Sequence, residues 1–593
     1  MPSIYSMLDI SRWAVNAATR QLNVVSHNVA NANTEGYSRQ EAIQGTRTPE
    51  KTGQGYYGRG VEILSVIQHV DKLILARMTD KISSENYNDA RLAQLKRLEA
   101  LSNEATDSGL GKLITDFFKA WQDVANNPES TAVRQVLEQT SQNLVDRFHT
   151  MMRDVESIRR DLDTYIAEGV EEVNAACRRI AELNRQIVAD EAGGRSANDL
   201  RDERQRQIEK LAEYLDIQWF EVGDGSVTVF TDSGNTLVQE DFPRTDDDVL
   251  AFQEVSGYSQ RQLIWRGSDV VLGPDQIGGG KIGAWLKVRG GCLPTNSSET
   301  DTGDIPQTQS FLNNLAQTII WEVNKLHSQG VGLTKFTSLT GTYASPDATT
   351  DFNDSTNTLP YADQIQSGSF ELWVYESGTR RKYTITVREN DDLQTLVDRI
   401  NNTVNPSLNA NLNPVATLTD NDTKLMLYAG SGIEFAFRND TSNVLAALGI
   451  NTFFTGSTAT GIGLNDTITG DVRYITAGRL ASDGEHALGD NSNALELADL
   501  KDTDTMDNDS QTFNESVISW ASSLGTDIST TDSSLSFAQT TLNELKNLRD
   551  SVSAVNLDEE MVKMIRYQRA YQMAAKMISV ADSLLATLLE TKR

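Results

Sequence analysis

The 593-residue sequence has little of what builds disulfide frameworks or membrane spans. It contains two cysteines, which fit either an oxidising or a reducing compartment, and nothing in the sequence brings Cys177 and Cys292 together. There is no apolar run of about 18 residues and no charged-then-hydrophobic signal peptide. The sequence therefore predicts neither insertion into a membrane nor Sec-type export.

Known catalytic and metal-binding motifs are also missing. The five histidines stand far apart and form neither an HExxH nor an HxH pattern, which leaves a zinc hydrolase without ligands. Walker A, CxxC and GxSxG motifs do not occur. The letters GxGxxG occur at Gly53, Gly55 and Gly58, but they follow a proline-containing loop and open no helix. The acidic run 502–509 lacks the glycine and the glutamate of a calcium loop. We therefore predict no enzyme, no cofactor and no metal.

Basic residues are outnumbered by acidic ones, 53 to 83, which gives a formal net charge of −30 and a pI near 4.6. This balance argues against a nucleic-acid or anionic-membrane partner. The length predicts several domains, and a hydrophobic content of 38% is sufficient for a core in each of them.

Both ends of the chain carry apolar residues at the spacing of a coiled-coil seam, in steps of three and four. The N-terminal seam contains Ile4, Leu8, Val15, Ala18, Leu22, Val25 and Val29, with Ser11 as its one polar member. The C-terminal seam contains Leu557, Met561, Met564, Tyr567, Tyr571, Ala574, Ile578, Ala581, Leu585 and Leu588. One interpretation is that each segment is an ordinary core helix of a globular domain, since such a helix has an apolar face of this kind. Otherwise, the two helices pair with each other or are completed by neighbouring subunits.

Four internal segments are predicted to be helical. They are Ser65–Asn103, Thr131–Ala189, Thr308–His327 and Thr512–Val555. The second has no proline and would be roughly 85 Å long at 1.5 Å per residue. Its apolar seam is Leu144, Phe148, Met151, Val155, Ile158, Leu162 and Tyr165. Near Gly169 the register shifts by one residue, to Ile166, Val170 and Val173.

Two β-rich insertions interrupt these helices. The first begins near Asp216 with two strand-like runs joined through Asp224-Gly225, which is a hairpin signal, and extends to about Leu293. The second, between Thr340 and Thr469, alternates in the order ββαββ and is expected to bury its own core.

These patterns predict an elongated α+β multidomain protein with coiled-coil-like terminal helices, a long-helix domain and two inserted β-rich domains. Residues 1–64 would pair with 553–593 as the assembly segment. Residues 65–215, completed by 305–335 and 475–552, would form the helical rod. The insertions would be 216–304 and 340–469.

A family resemblance begins where the N-terminal seam ends. The stretch ANANTEGYSRQ, with Asn31, Asn33, Thr34, Gly36, Tyr37 and Arg39, resembles the signature of the bacterial flagellar axial proteins, which are rod, hook and hook-associated proteins. The run NLDEEMVKMIRYQRAYQMAAKMISVADSLLATLLE resembles the closing helix of the same family. Residues 126–148, 198–217 and 489–501 resemble the members found at the junction of hook and filament.

The resemblance implies a structural adaptor that connects hook to filament by self-assembly through its terminal helices, as a homo-oligomeric ring. The implied partners are hook protein, hook-associated protein 3 and an export chaperone bound to the C-terminal helix. The implied location is the extracellular flagellum, reached by type III export without a cleaved signal. The alternatives are another axial protein, similar to hook-associated protein 3 or hook protein, and a secreted adhesin with a helical stalk.

Overall fold

The computed structural model describes residues 4–52, 55–102, 109–194, 196–240, 242–243, 247–266, 270–294, 297, 299–404 and 416–591. The helices are α1 (Ile4–Ala30), α2 (Lys72–Ser102), α3 (Leu110–Asn126), α4 (Thr131–Glu191), α5 (Asn198–Tyr214), α6 (Gly280–Arg289), α7 (Asp304–His327), α8 (Leu393–Val404), α9 (Val444–Ala447), α10 (Asp466–Gly470), α11 (Ser492–Asp499), α12 (Phe513–Ser553) and α13 (Leu557–Thr591). The predicted α+β multidomain class is confirmed.

The strands are short and pair antiparallel in small sheets. They are β1 (Gln40–Thr46), β2 (Glu50–Thr52), β3 (Gly55–Tyr57), β4 (Val61–Gln68), β5 (Ile217–Glu221), β6 (Val227–Thr231), β7 (Thr236–Val238), β8 (Leu250–Glu254), β9 (Arg261–Trp265), β10 (Ser338–Thr340), β11 (Gly368–Glu376), β12 (Thr379–Val387), β13 (Ala416–Thr419), β14 (Lys424–Tyr428), β15 (Ile433–Arg438), β16 (Phe454–Thr455) and β17 (Gly463–Leu464).

The chain folds into two compact units. Unit 1 contains Met1–Gln94, Arg160–Asp304 and Ile528–Arg593, and unit 2 contains Leu95–Arg159 and Ile305–Asp527. The boundaries between the units fall inside α2, α4 and α12 and after the first residue of α7. Unit 1 therefore joins both termini to the first insertion, and unit 2 joins the second insertion to helical segments. The finer division into four segments stays a prediction.

In unit 1, α1 packs along α13, and the end of α1 lies at the start of α13. The β1–β4 hairpin is held against α1 by Arg47, whose guanidinium carbon lies 3.9 Å from the centre of the Trp13 ring. The same guanidinium is 3.6 Å from Asp9. This contact combines a cation over an aromatic face with an ion pair, and it fixes the connected end of the hairpin on the helix.

The hydrophobic core of unit 1 lies between α4, α5, the strands β5 to β9, α6 and the end of α12. The predicted change of register in α4 is visible in its burial. Tyr165 is 37% exposed, whereas Ile166 is fully buried, and Val170 and Val173 are buried as well. Tyr165 is thus the one predicted seam residue of this helix that points away from the core, and its ring lies against Trp285.

Two buried asparagines of α4 attach the first insertion to the helix. Asn174 Nδ2 donates to the Leu250 carbonyl at 2.9 Å, while its Oδ1 accepts from the amides of Val249 and Leu250. Asn184 makes the same pair of bonds with Val227. Each side-chain amide therefore satisfies backbone groups that a strand would otherwise leave unpaired in the interior.

Unit 2 has an aromatic core that is shared by its helices and the second insertion. Phe117 of α3 lies 5.5 Å from Phe454, and Trp121 lies 5.3 Å from Phe453, measured between ring centres. Asn324 of α7 bonds the backbone of both Phe453 and Phe454. We expected the insertion to bury a core of its own. That expectation is wrong, because its aromatic residues belong to the same cluster as those of the helices.

Some elements differ from the sequence predictions. The helix predicted for Ser65–Asn103 begins at Lys72 and not at Ser65, because Ser65–Gln68 pairs with β1 and Asp71 Oδ1 accepts from the amides of Leu73 and Ile74. Its predicted end, Asn103, lies outside the described residues, as does Gly53. Helix α3 was not predicted, although its apolar positions follow a helical period. The second insertion has an additional strand, β13, which makes the order ββαβββ after β10.

Helix α6 was not predicted either, since the first insertion was expected to be β-rich. Close packing of α6 against α5 accounts for the glycine at the start of this helix. Gly280 has a φ of +64°, and a Cβ added there would lie 2.2 Å from the backbone of Tyr214. Only glycine fits this approach of α6 to α5.

Candidate assembly site

The predicted seam residues of α1 are covered to different degrees, and α1 packs on α13, β1 and β4. Ala18 and Val25 are buried, and Leu8, Val15, Leu22 and Val29 are half-buried. Of the polar residues on this helix, Ser11, Gln21 and Asn28 are also buried. Polar groups are therefore buried on α1 together with apolar ones, and among these three Asn28 bonds α13 while Gln21 bonds Gln44 of β1.

Helix α13 carries two apolar stripes. We call the first the inner seam; it has Ala574 and Ala581 buried and Met564, Tyr567, Ile578 and Leu585 half-buried. We call the second the outer stripe; it consists of Met573, Met577, Val580, Leu584 and Leu588 and is exposed by 38 to 67%. Leu588, which the periodicity placed on the seam, lies on the outer stripe. Leu557, Met561 and Tyr571 of the predicted seam are exposed as well.

The family motif forms a tight loop at the end of α1. The amides of Asn31 and Thr34 donate to the carbonyls of His27 and Asn31, and Thr34 Oγ1 donates to Asn31 Oδ1. Gly36 has a φ of +72°, and a Cβ added there would lie 2.8 Å from Arg206 Cγ. Asn33 is exposed. The glycine thus permits both the turn and the approach of the loop to α5.

Helix α5 binds the motif loop along one face. Asp202 accepts from the Ser38 amide at 2.9 Å, Asp199 accepts from Gln40 Nε2 at 2.7 Å, and Arg206 donates to the Glu35 carbonyl at 3.2 Å. Burial raises the pKa of Asp202 to about 6 from its usual 3.8. Asp199 also lies 3.2 Å from His27. The segment 198–217, noticed for its resemblance alone, is therefore the support of the motif.

The motif is joined to α13 through a group that we call the Asn28 network: the side chains of Asn28, Tyr37 and Glu560 and the backbone of Gln40. Asn28 Nδ2 donates to Glu560 Oε2 at 2.9 Å, and the Tyr37 hydroxyl donates to Asn28 Oδ1 at 2.8 Å. Burial and the nearby carboxylates hold the pKa of Tyr37 above its usual value, so its hydroxyl remains a donor. Arg39 adds a backbone bond to Ser553, and its guanidinium is 3.6 Å from Glu559.

Sequence reasoning missed Asn28, Asp199, Asp202, Arg206 and Glu560. The sequence contained one signal for Asn28 and Glu560. Asn28 stands three residues after Val25, and Glu560 stands three residues after Leu557, and both of these were predicted seam positions. Residues three positions apart lie on the same side of a helix. The pairing of the Glu560 carboxylate with the Asn28 amide could not be predicted from the sequence, because the two residues are 532 positions apart.

A cavity of about 270 Å³ lies between the motif loop, α5 and the end of α12. Charged side chains of both signs line it, and several are paired with each other; Arg201, for example, bonds Glu221 at 2.7 Å. Such a balanced lining selects neither an anion nor a cation. Among the described residues, no three histidine, cysteine, aspartate or glutamate side chains are grouped to hold a metal.

By length and composition alone, the helical stretch Phe513–Glu590 is apolar enough to cross a membrane. The sequence was predicted to contain no such run. The outer stripe explains the difference, because it adds a second apolar surface to α13, and only 11% of the apolar window is buried. One such helix is weak evidence for a membrane span.

Three family descriptions match separate parts of the chain. Residues 8–37 match the flagella basal body rod protein, residues 95–340 match the helical domain of flagellar hook-associated protein FlgK, and residues 549–591 match the C-terminal part of the flagellar basal body rod FlgEFG protein. The two terminal matches contain most of α1 and all of α13.

Known relatives extend the comparison to the full length. Flagellar hook-associated protein 1 of Escherichia coli (strain K12) is 23% identical over 601 residues, covering 99% of this chain and all of the relative. The protein of the same name from Bacillus subtilis (strain 168) is 30% identical over 226 residues, covering 37% of this chain and 44% of the relative. The hook junction protein FlgK from Burkholderia pseudomallei has the same fold, with a TM-score of 0.52, 14% identity, and coverage of 81% of this chain and 100% of the other.

The predicted resemblance to the flagellar rod, hook and hook-associated proteins is therefore confirmed. Within that class, the full-length similarity is to flagellar hook-associated protein 1. The matches support a structural role at the junction of flagellar hook and filament. They also support location in the flagellum and assembly with other flagellar proteins.

Proposed function

We propose that this chain is a non-enzymatic adaptor that joins hook to filament by self-assembly through α1 and α13. The observation that carries the proposal is the outer stripe of α13. When α13 is packed on α1 as in this structure, its inner seam is covered, and yet Met573, Met577 and Leu588 remain 45 to 67% exposed. Contiguous exposed apolar surface of this kind is typical of a protein contact site.

The remaining parts of the proposal follow from this surface and from the family resemblance. Copies of the chain form a ring in the flagellar axis, with hook protein on one side and hook-associated protein 3 on the other. Before assembly the terminal helices are poorly ordered, because isolated helices with unpaired apolar faces are marginal in water. An export chaperone covers α13 in the cytoplasm, and the chain leaves through the type III apparatus without a cleaved signal.

Truncation of Leu557–Arg593 tests the assembly role. Among the described residues, the core cluster of unit 1 includes none from α13, so we expect the truncated chain to stay folded and soluble. It should fail to restore filaments in a deletion strain. Filaments restored by the truncated chain would contradict the proposal.

A point variant in the outer stripe tests the same role without removing the helix. Met577→Glu places a charge in the stripe, and we expect it to abolish filament growth. Ser579→Glu is the matched control, since it places the same charge on an exposed position outside the stripe and should leave filaments intact. Equal behaviour of the two variants would show that the stripe is not a contact surface.

A further inference from the structure

The break between α12 and α13 contains no residue that strongly ends a helix. From Thr526 to Arg593 the sequence has neither glycine nor proline, which are the two residues least favourable in helices. Even so, α12 ends at Ser553 and α13 begins at Leu557. Asn556 caps α13, since its Oδ1 accepts from the amides of the two residues after Leu557 at 3.0 and 3.3 Å. Such a cap stabilises the start of α13, but asparagine inside a helix is only mildly unfavourable and does not by itself end α12.

The end of α12 is closed by the motif loop, residues 31–39. The Ser553 carbonyl accepts from the Arg39 amide at 2.8 Å. In a continuous helix the same carbonyl would accept from the Leu557 amide, so the backbone of Arg39 lies where the next helical turn would be. The Arg39 guanidinium is 3.6 Å from Glu559 in the first turn of α13. One loop residue therefore contacts both sides of the break.

The break leaves backbone groups that a continuous helix would pair. Among the described residues, the amides of Val555, Asn556 and Leu557 have no hydrogen-bond acceptor. If α12 continued, these amides would donate to the carbonyls of residues 551–553. The chain thus gives up three helical hydrogen bonds at this point, and the contact with the loop holds it in that arrangement.

The loop is supported by the core of unit 1. Asp202 of α5 accepts from the Ser38 amide, and Arg206 donates to the Glu35 carbonyl. Helix α5 belongs to the hydrophobic core of unit 1, to which the described residues of α1 and α13 contribute none. The contact between the loop and α5 therefore does not require α1 and α13 to be paired.

We propose that the motif loop, held on α5, ends α12 at Ser553 and prevents α12 from continuing into α13 as one helix. Adding residues to an existing helix avoids the unfavourable nucleation step, whereas a separate helix must nucleate by itself. With the loop in place, α13 stays poorly ordered until copies assemble, and both of its apolar stripes remain available for that step. The proposal rests on the assembly role of α13 and adds the device that keeps this helix independent of α12.

Release of the loop in the full-length, unassembled chain tests the proposal. Asp202→Leu removes the acceptor of the Ser38 amide without changing the loop, α12 or α13. Gly36→Ala acts from the loop side, since a Cβ there would lie 2.8 Å from Arg206 Cγ at a φ of +72°. Amide hydrogen exchange at residues 555–557, measured near 0 °C, should become at least ~threefold slower in both variants, because these amides gain helical acceptors. Loss of support alone would leave this exchange unchanged or faster.

Proline distinguishes a continuous helix from other causes of slow exchange. Leu557→Pro removes an amide that the continuous helix needs, whereas proline is favourable at the first position of a separate α13. Added to Asp202→Leu, it should restore the native exchange at residues 555 and 556. Leu557→Ala removes the same apolar side chain but keeps the amide, and it should not restore the native exchange. Gly58→Ala is the control for Gly36→Ala, because a Cβ at this exposed position meets nothing within 4 Å, and it should match the native chain.

Slow exchange at residues 555–557 in the native chain would overturn the proposal, because the helix would then continue with the loop in place. Native or faster exchange in the loop variants would also overturn it, as would slow exchange that Leu557→Pro does not reverse. The two loop variants act from opposite sides of one contact, so the test stands if either of them fails to fold. None of these measurements involves filaments, so the filament assay with Met577→Glu judges the assembly role of α13 separately.

Discussion

The buried imidazole of His327 should make unit 2 sensitive to acid. Its Nε2 accepts from the Thr476 amide at 3.1 Å, so its proton lies on Nδ1, which donates to the Asn451 carbonyl at 2.8 Å. A second proton on the ring would have to bind Nε2, where it would face the Thr476 N–H group and break this hydrogen bond. Burial, supported by the positive charge of Arg134, lowers the pKa of His327 to about 4 from 6.5.

This shift sets the size and the sign of the effect. The unfolded chain takes up a proton below pH 6.5, whereas the folded chain does so only near pH 4, so the stability is complete above pH 6.5 and declines as the pH falls. Each pKa unit is worth about 1.4 kcal/mol, and lowering the pH from 7 to 5 should therefore cost about 2 kcal/mol.

Amide hydrogen exchange, corrected for the intrinsic effect of pH, can measure this loss in α7 and in residues 451–476. His327→Gln should flatten the dependence on pH, because glutamine does not titrate in this range. Burial also lowers the pKa of His486 in the same unit, so His486→Gln measures that separate contribution. An equal loss of protection in the native chain and in His327→Gln would refute the assignment of the effect to His327.

Two further predictions concern unit 1. Asp202→Asn keeps an oxygen that can accept from the Ser38 amide but removes a carboxyl group whose pKa burial raises to about 6 from 3.8. The native chain should lose stability as the pH rises from 3.8 through 6. By urea denaturation, the variant should therefore be more stable than the native chain by up to ~3 kcal/mol at pH 7 and equally stable at pH 3.5. A gain in stability of equal size at both pH values would contradict this. Asn174→Leu leaves the amides of Val249 and Leu250 without their acceptor, and exchange in β8 and β9 should become faster by the equivalent of ~1 to 3 kcal/mol, with protection of β1 and β4 as the internal control.

Periodicity predicted the elements whose burial follows a regular repeat. The long helix α4 and its change of register near Gly169 could be read from the sequence, because core positions recur every three or four residues over many turns. For α13 the same periodicity predicted a single apolar seam and missed the outer stripe. Its outer stripe runs parallel to the inner seam, and a helix that is apolar on two faces shows a weaker contrast between inside and outside.

Tertiary contact decided what periodicity missed. Helix α6 contains Gly283 in its interior, where glycine is unfavourable by about 1 kcal/mol, and the helix packs on α5. The shared aromatic core of unit 2 joins Phe117 and Trp121 to Phe453 and Phe454. Residues more than 300 positions apart cannot be matched from local patterns, so the second insertion looked independent when it was not.

The family motif and the segment at α5 resemble flagellar proteins in two separate parts of the sequence. In the structure these two parts contact each other. Asp199, Asp202 and Arg206 hold the loop that follows α1, and Arg39 of that loop bonds the last residue of α12, Ser553. The first turn of α13 therefore begins at a position that α5 fixes indirectly. A substitution in α5 can thus disturb the pairing of the terminal helices without touching either of them, because it moves the loop on which Asn28 and Tyr37 depend for their alignment with Glu560.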